Sequence, residues 1–192
     1  SMEEPNELYI PWLNLCQSRP NGLTNEFPMR PPITRVVPLF SFLYHDYLVG
    51  WTAFYPWRSA GRPRISLAKG FAAGMMPGLH LESLQRFPAE ERERFRAFLR
   101  ACCEFYAGEG HAALFAGRMK APLPIAIPER VLKIGEDRSL AVPAVFHSVW
   151  TTPDGRRCAT FFNPETEPHT FAVPGVGPVE IPALAARLVP LP

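Results

Sequence analysis

Proline content is the feature that most limits how this chain can fold. Of its 192 residues, 23 are proline, which is about twice the usual frequency. They lie between apolar segments along the chain instead of forming one tract. Because proline lacks an N–H donor and restricts φ, it interrupts helices and central strands. The sequence therefore predicts many short elements joined by stiff connections.

Composition predicts a globular chain and excludes two classes of partner. Hydrophobic residues make up 47% of the sequence, and 20 Lys and Arg stand against 18 Asp and Glu. The basic residues are scattered, whereas nucleic-acid binding needs a concentrated basic face. No apolar run approaches the roughly 20 residues of a membrane span, and no secretory signal pattern is present. We expect no nucleic acid and no membrane span, and the compartment stays open.

The first part of the chain alternates predicted strands and helices. Val36–Tyr44 is an apolar run without alternation, which predicts a strand buried on both faces. Ser66–Ala73 predicts a short helix capped by its serine, and Met75–Leu81 a second short strand. Pro88–Gly110 is the strongest helix, with acids in its first turn and apolar residues at helical spacing. A shorter helical piece, His111–Phe115, follows. This alternation is typical of an α/β unit.

After about residue 123 the pattern changes to short strands separated by turns. Asp154 and Gly155 are a two-residue hairpin signal between two apolar segments. Six segments of this kind predict an antiparallel β-sandwich of about 65 residues. We therefore predict two domains, 1–122 and 123–192. The predicted strands are Arg130–Ile134, Val142–Thr151, Arg157–Asn163, His169–Val173, Pro178–Ile181 and Ala186–Leu191.

The order of these segments resembles a known family. The segments are "VPLFSFLYHDY", "SLAKGFAAGMMPG", a long helix ending "YAGEGHAALFAGRMKAPLPI", and a sandwich with "ATFFNPETEPHTFAVPG". Together they resemble the C-terminal third of (β/α)8-barrel glycoside hydrolases with an antiparallel domain after the barrel. These hydrolases include the α-amylases, the α-galactosidases and their uncharacterised relatives. The resemblance covers residues 36–192 and implies an α/β part followed by an all-β part, that is, a partial (β/α) barrel plus a C-terminal antiparallel β-sandwich.

The resemblance also implies a function. A complete barrel needs about 250 residues, far more than the range 1–122 supplies. The chain would therefore be the C-terminal portion of a glycosidase acting on oligosaccharides or glycoconjugates. In this family the nucleophile and the acid/base lie on earlier strands, so we expect the isolated chain to be inactive, and whether it is an enzyme stays open. The alternative is a non-catalytic carbohydrate-binding or protein-interaction module.

His45 and Asp46 are the predicted catalytic residues. Barrel enzymes carry reactive groups at the C-terminal ends of strands, and the predicted strand Val36–Tyr44 ends at this pair. "YHD" is similar to the His-Asp of the seventh α-amylase strand, which implies that His45 donates to a sugar hydroxyl and Asp46 steadies the distorted ring. The alternatives are a turn cap for Asp46 and a structural histidine for His45.

A group of aromatic and polar side chains is the predicted carbohydrate-binding surface. Flat rings suit the apolar faces of sugars, an arginine suits hydroxyls or a carboxylate, and His80 ends the second predicted strand. The alternative for the aromatic residues is packing in the core or at a domain interface. The predicted substrate-binding residues are Tyr44, Trp51, Tyr55, Trp57, Arg58 and His80.

No metal site and no cofactor is predicted. The histidines are dispersed without the spacing of metal ligands, and neither GxSxG nor GxGxxG occurs. The four cysteines form no CxxC pair; they are interpreted as buried small hydrophobic residues, with a disulfide of Cys16 or Cys158 as the alternative. Because part of a barrel has unpaired strand edges, we expect a homo-oligomer or association with the missing barrel part.

Overall fold

The computed structural model describes most of the chain, and all structural statements below refer to the part it describes. The described residues are 11, 15–17, 39–47, 49–54, 63–79, 81–133 and 139–192.

Four α-helices, one 3-10 helix and eleven strands are present in the described ranges. The helices are α1 (Leu39–Tyr44), α2 (Pro63–Ala72), the 3-10 helix Leu81–Arg86, α3 (Ala89–Ala107) and α4 (His111–Leu114). The strands are β1 (Leu15–Gln17), β2 (Val49–Phe54), β3 (Met76–Leu79), β4 (Arg118–Lys120), β5 (Glu129–Lys133), β6 (Ser139–Pro143), β7 (Phe146–Thr151), β8 (Arg157–Asn163), β9 (His169–Val173), β10 (Gly177–Ile181) and β11 (Ala185–Leu191). No described helix has the length and apolar character needed to cross a membrane.

The first sheet is parallel and follows the order of the chain. Its strand order is β1-β2-β3, with Leu15 opposite Val49 and Trp51 opposite Met76. Helix α1 lies between β1 and β2 in the sequence, α2 joins β2 to β3, and α3 follows β3. Parallel neighbours need a crossover connection, and a described helix lies within each of the two connections.

The predicted strand Val36–Tyr44 is wrong. Residues 36–38 lie outside the described residues, and Leu39–Tyr44 is helix α1. The N–H of His45 donates to the carbonyl of Ser41 at 3.1 Å, which is the spacing of an α-helical bond. A short apolar run has no periodicity that separates a buried strand from a buried helix, so the pattern was ambiguous. The strand is β2, which begins after His45 and Asp46.

Helices α2 and α3 agree with the prediction in type and differ at their ends. Helix α2 begins at Pro63 rather than Ser66, because proline suits the first helical position. It is buried on nearly all sides, with Arg64 and Lys69 as its partly exposed residues. Gly74 follows it with φ of 72°, the left-handed conformation that ends helices.

The main sheet is antiparallel, with strand order β11-β8-β7-β4. Strands β7 and β8 form the predicted hairpin, but its loop has three residues instead of two. The N–H of Thr152 donates to the carbonyl of Arg156 at 2.9 Å, and Gly155 has φ of 84°. A left-handed glycine at the third position is typical of three-residue hairpin loops.

Helices and a second hairpin cover the two faces of the main sheet. On one face, the ring of Phe162 stacks on Phe71 of α2 at 5.8 Å and meets Phe105 of α3 edge-on at 5.6 Å. The other face packs on the β9-β10 hairpin. Strands β5 and β6 form a separate two-stranded sheet. The core between the main sheet and the hairpin consists of Val145, Val149, Ala159, Phe161, Phe171, Val173, Val179, Ile181 and Val189.

The coarse fold prediction, helices with strands followed by antiparallel strands, is confirmed. The predicted segment Val142–Thr151 is two strands, β6 and β7, rather than one. The division into 1–122 and 123–192 stays a prediction. The core between the helices and the main sheet contains residues from both ranges, and β4, which precedes the boundary, pairs with β7.

Candidate functional site

His45 is a buried residue at the N-terminal edge of the parallel sheet. It follows α1, precedes β2 and is 3% exposed. Its Nδ1 lies 3.0 Å from the carbonyl oxygen of Gly117, and its Nε2 lies 3.0 Å from that of Gly74. A neutral imidazole donates from one nitrogen only, so both bonds are donated together only when the ring carries two protons. The edge of the ring contacts Trp150, with centroids 4.8 Å apart.

These contacts connect three elements that are distant in sequence. Gly74 comes shortly before β3 and Gly117 directly before β4, while Trp150 belongs to β7 of the main sheet. In (β/α) barrels the active site lies at the opposite, C-terminal edge of the strands. The contacts of His45 are therefore those of a structural histidine, which was the alternative interpretation. Its catalytic role stays a prediction, and the strand end on which that prediction depended is absent.

Asp46 forms an ion pair with the first residue of β4. Its Oδ2 accepts hydrogen bonds from Nε of Arg118 at 3.0 Å and from Nη2 at 2.5 Å. The hydrogen bond and the charge of Asp46 raise the pKa of the Arg118 guanidinium. Because Arg118 is exposed, solvent screens much of this interaction. The pair ties the turn after α1 to the main sheet.

The predicted substrate-binding residues fall largely outside the described residues. Tyr44 is the half-buried last residue of α1. Trp51 belongs to β2, and its side chain is outside the description. The remaining four, Tyr55, Trp57, Arg58 and His80, also lie outside the described residues.

A cleft of about 390 Å³ is a concave site among the described residues, and sequence reasoning missed it. It lies where the first turns of α2 and α3 meet β5 and the turn between β8 and β9. Its lining comes from four separate stretches of the chain, so no local sequence motif identifies it. The lining residues are Arg64, Ile65, Glu91, Arg130, Val131, Pro164, Glu165, Thr166 and Glu167.

A two-pronged ion pair forms one wall of the cleft. Nε of Arg64 donates to Oε1 of Glu91 at 3.0 Å, and Nη2 donates to Oε2 at 3.3 Å. Nη1 of Arg64 donates to the carbonyl of Pro164. The two side chains are 15% and 17% exposed, so both are held largely out of water. This pair fixes the starts of α2 and α3 against the end of β8.

The turn between β8 and β9 is held by a buried asparagine. Nδ2 of Asn163 donates to the carbonyls of Glu167 and Pro182, both at 2.8 Å, and Oδ1 accepts from the N–H of Glu165 at 3.0 Å. The N–H of Leu184 also donates to the carbonyl of Glu165 at 2.9 Å. The backbone that carries Glu165, Thr166 and Glu167 is therefore fixed by contacts that do not use their side chains.

Ser66 and Lys69 have the spacing of a serine nucleophile and a lysine base on one helical face. Burial lowers the pKa of Lys69 to about 8. The hydroxyl of Ser66 is buried and has no hydrogen-bond partner among the described residues, so it is not bonded to Lys69. The two residues do not form a nucleophile–base pair in this structure.

The described cysteines are free thiols. Cys102 and Cys158 are buried in the core between the helices and the main sheet, as interpreted from the sequence, whereas Cys103 is exposed. Burial raises the pKa of the Cys102 and Cys158 thiols. The side chain of Cys16 is outside the described part. In that part no three His, Cys, Asp or Glu residues are grouped to hold a metal ion.

Comparison with known proteins found no matching protein family, curated protein or solved structure.

Proposed function

We propose that this chain is the C-terminal portion of a glycoside hydrolase-like protein acting on oligosaccharides or glycoconjugates. The observation that carries the proposal is the parallel sheet, in which β1, β2 and β3 are neighbours in chain order. Successive strands are neighbours all around a (β/α)8 barrel, so three parallel strands in chain order fit one part of such a barrel. The antiparallel main sheet then follows, as in the family that the sequence resembles.

The proposed substrate face is the C-terminal edge of this sheet. Strand β2 ends at Phe54, which Tyr55 and Trp57 follow in the sequence, and β3 ends at Leu79, which His80 follows. The carboxyl ends of parallel strands meet at one edge, where (β/α) barrels place their sites. The aromatic residues that follow β2 in the sequence would suit the apolar faces of sugars.

The proposal gives His45 and Asp46 a structural role. Both come before β2, at the edge opposite to the proposed substrate face. Most glycoside hydrolases cleave the glycosidic bond with a pair of carboxyl groups. In the resembling family that pair belongs to earlier barrel strands, so this chain would bind the sugar and depend on other strands for hydrolysis.

A glycan array tests the proposal, with the full chain and two single variants as probes. The Trp57→Ala variant should lose glycan binding, because the ring would supply the sugar platform. Tyr47→Ala is the matched control, since Tyr47 is an exposed aromatic residue at the opposite edge, 66% exposed. It should bind like the unmodified chain. Absence of binding to every glycan, or equal binding by the Trp57→Ala variant, would refute the proposal.

A further inference from the structure

The cleft lies on the same side of the parallel sheet as the proposed substrate face. Helix α2 begins at Pro63 after β2 ends, and α3 begins at Ala89 after β3 ends. In strand–helix units the first turn of each helix lies near the C-terminal end of the strand before it. Arg64 and Glu91, which line the cleft, belong to these first turns.

The charged side chains that line the cleft indicate which class of ligand it can bind. The lining contains two arginines, Arg64 and Arg130, and three glutamates, Glu91, Glu165 and Glu167. The lining therefore carries both positive and negative charges, and its net charge is near zero. A cleft of this kind disfavours a polyanionic ligand. The few apolar residues in the lining also disfavour an apolar ligand, because sites for such ligands are mostly hydrophobic.

Part of this charge is available to a ligand. Arg64 and Glu91 are bonded to each other, whereas Arg130, Glu165 and Glu167 form no ion pair with other described residues. A hydroxyl group both donates and accepts, so adjacent hydroxyls can bridge a guanidinium donor and a carboxylate acceptor. The volume of about 390 Å³ lies within the roughly 300–1,000 Å³ of small-molecule sites.

We propose that this cleft is a binding subsite for a neutral oligosaccharide, in which Arg130 and the carboxylates of Glu165 and Glu167 hold sugar hydroxyls. The inference rests on the proposed function, since it extends the substrate face outward into the helix layer. The hydrogen bonds of Asn163 fix the backbone that carries Glu165 and Glu167 and leave the two carboxylates free for a ligand.

Titration by two-dimensional ¹H–¹⁵N NMR tests the subsite on the full chain. The probes are maltohexaose, cellohexaose and, as an anionic arm, hexagalacturonate. A neutral hexasaccharide should shift the amide signals of Glu165, Thr166 and Glu167. The Arg130→Ala variant should weaken this binding about tenfold, because it removes hydrogen bonds from a charged donor. Arg96→Ala removes an exposed arginine of α3 that does not line the cleft and should leave binding unchanged.

The outcomes separate the subsite from the proposed function. No shift in the turn with either neutral probe, unchanged binding by the Arg130→Ala variant, or tighter binding of hexagalacturonate would overturn the subsite. If glycan binding on the array depends on Trp57 but the amide signals of Glu165–Glu167 do not shift, the proposed function is supported and the subsite is refuted. If the turn responds and binding on the array is independent of Trp57, the cleft binds sugar and the proposed substrate face falls.

Discussion

Gly74 and His45 are in direct contact at the N-terminal edge of the parallel sheet. The Nε2 atom of His45 lies 3.0 Å from the carbonyl oxygen of Gly74. A Cβ atom on Gly74 would lie 2.5 Å from the same nitrogen and 2.6 Å from a ring carbon of Trp150. The absence of a side chain at residue 74 is therefore what allows the histidine to approach the backbone.

The Gly74→Ala variant should be strongly destabilised, by about 2–4 kcal/mol. The methyl group would overlap two buried rings, and the φ of 72° disfavours any side chain. Urea unfolding measures the change. Gly155→Ala is the matched control, because Gly155 has φ of 84° but a methyl group there would meet no atom within 4 Å. It should lose only about 1 kcal/mol; equal losses would show that the contact with His45 is unimportant.

The His45→Ala variant should lose stability and keep its affinity for glycans. Removal of the ring leaves the carbonyls of Gly74 and Gly117 without this partner and opens a cavity beside Trp150. We expect a loss of about 2–4 kcal/mol in the free energy of unfolding. Glycan affinity is measured below the unfolding transition. A variant with unchanged stability and abolished binding would restore the functional interpretation of His45.

Lys69 should make stability depend on pH in the alkaline range. Burial lowers its pKa from 10.5 to about 8, so between these values the unfolded chain binds more protons than the folded one. Stability contributed by this residue therefore rises as pH increases from about 8 to 10.5. The test is the difference in unfolding free energy between the unmodified chain and Lys69→Met, measured across this range. A difference that is independent of pH would contradict the prediction.

His147 should make stability depend on pH in the acidic range. Burial lowers its pKa, although a hydrogen bond with the backbone of Leu123 acts in the other direction. Below about pH 6.5 the unfolded chain then binds more protons, and stability falls as the pH decreases. The His147→Phe variant keeps a ring that can stack on Phe161, as His147 does at 5.8 Å, and should lose this acid sensitivity. Identical acid unfolding of both proteins would rule out His147 as the cause.

The parallel sheet should promote association. Within the described residues, β1 and β3 each pair with β2 alone, and an unpaired strand edge is a template for another strand. We predict a homo-oligomer, or a complex with the remaining barrel strands when these are supplied. Size-exclusion chromatography with light scattering measures the mass. A compact monomer that does not bind the other strands would contradict the prediction.

Local sequence signals predicted the elements whose conformation depends on local chemistry. Helix α3 has apolar residues at helical spacing, a proline before its start and acids in its first turn, and it was predicted almost to its ends. The β7-β8 hairpin was predicted from Asp154 and Gly155, because few residues other than glycine adopt the left-handed turn conformation. Turn residues between apolar segments also predicted the positions of β5, β8, β9, β10 and β11, whereas β6 and β7 were predicted as one strand.

The sequence by itself determined that an α/β part precedes a set of antiparallel strands, because helical spacing and turn residues act over a few neighbours. Only the tertiary structure decided that Leu39–Tyr44 is helical and that His45 bonds the backbone at Gly74 and Gly117. It alone also assembled the cleft from four distant stretches. The physical reason is that a short apolar run, a buried histidine and a scattered set of charges acquire their roles from packing partners far away in the chain.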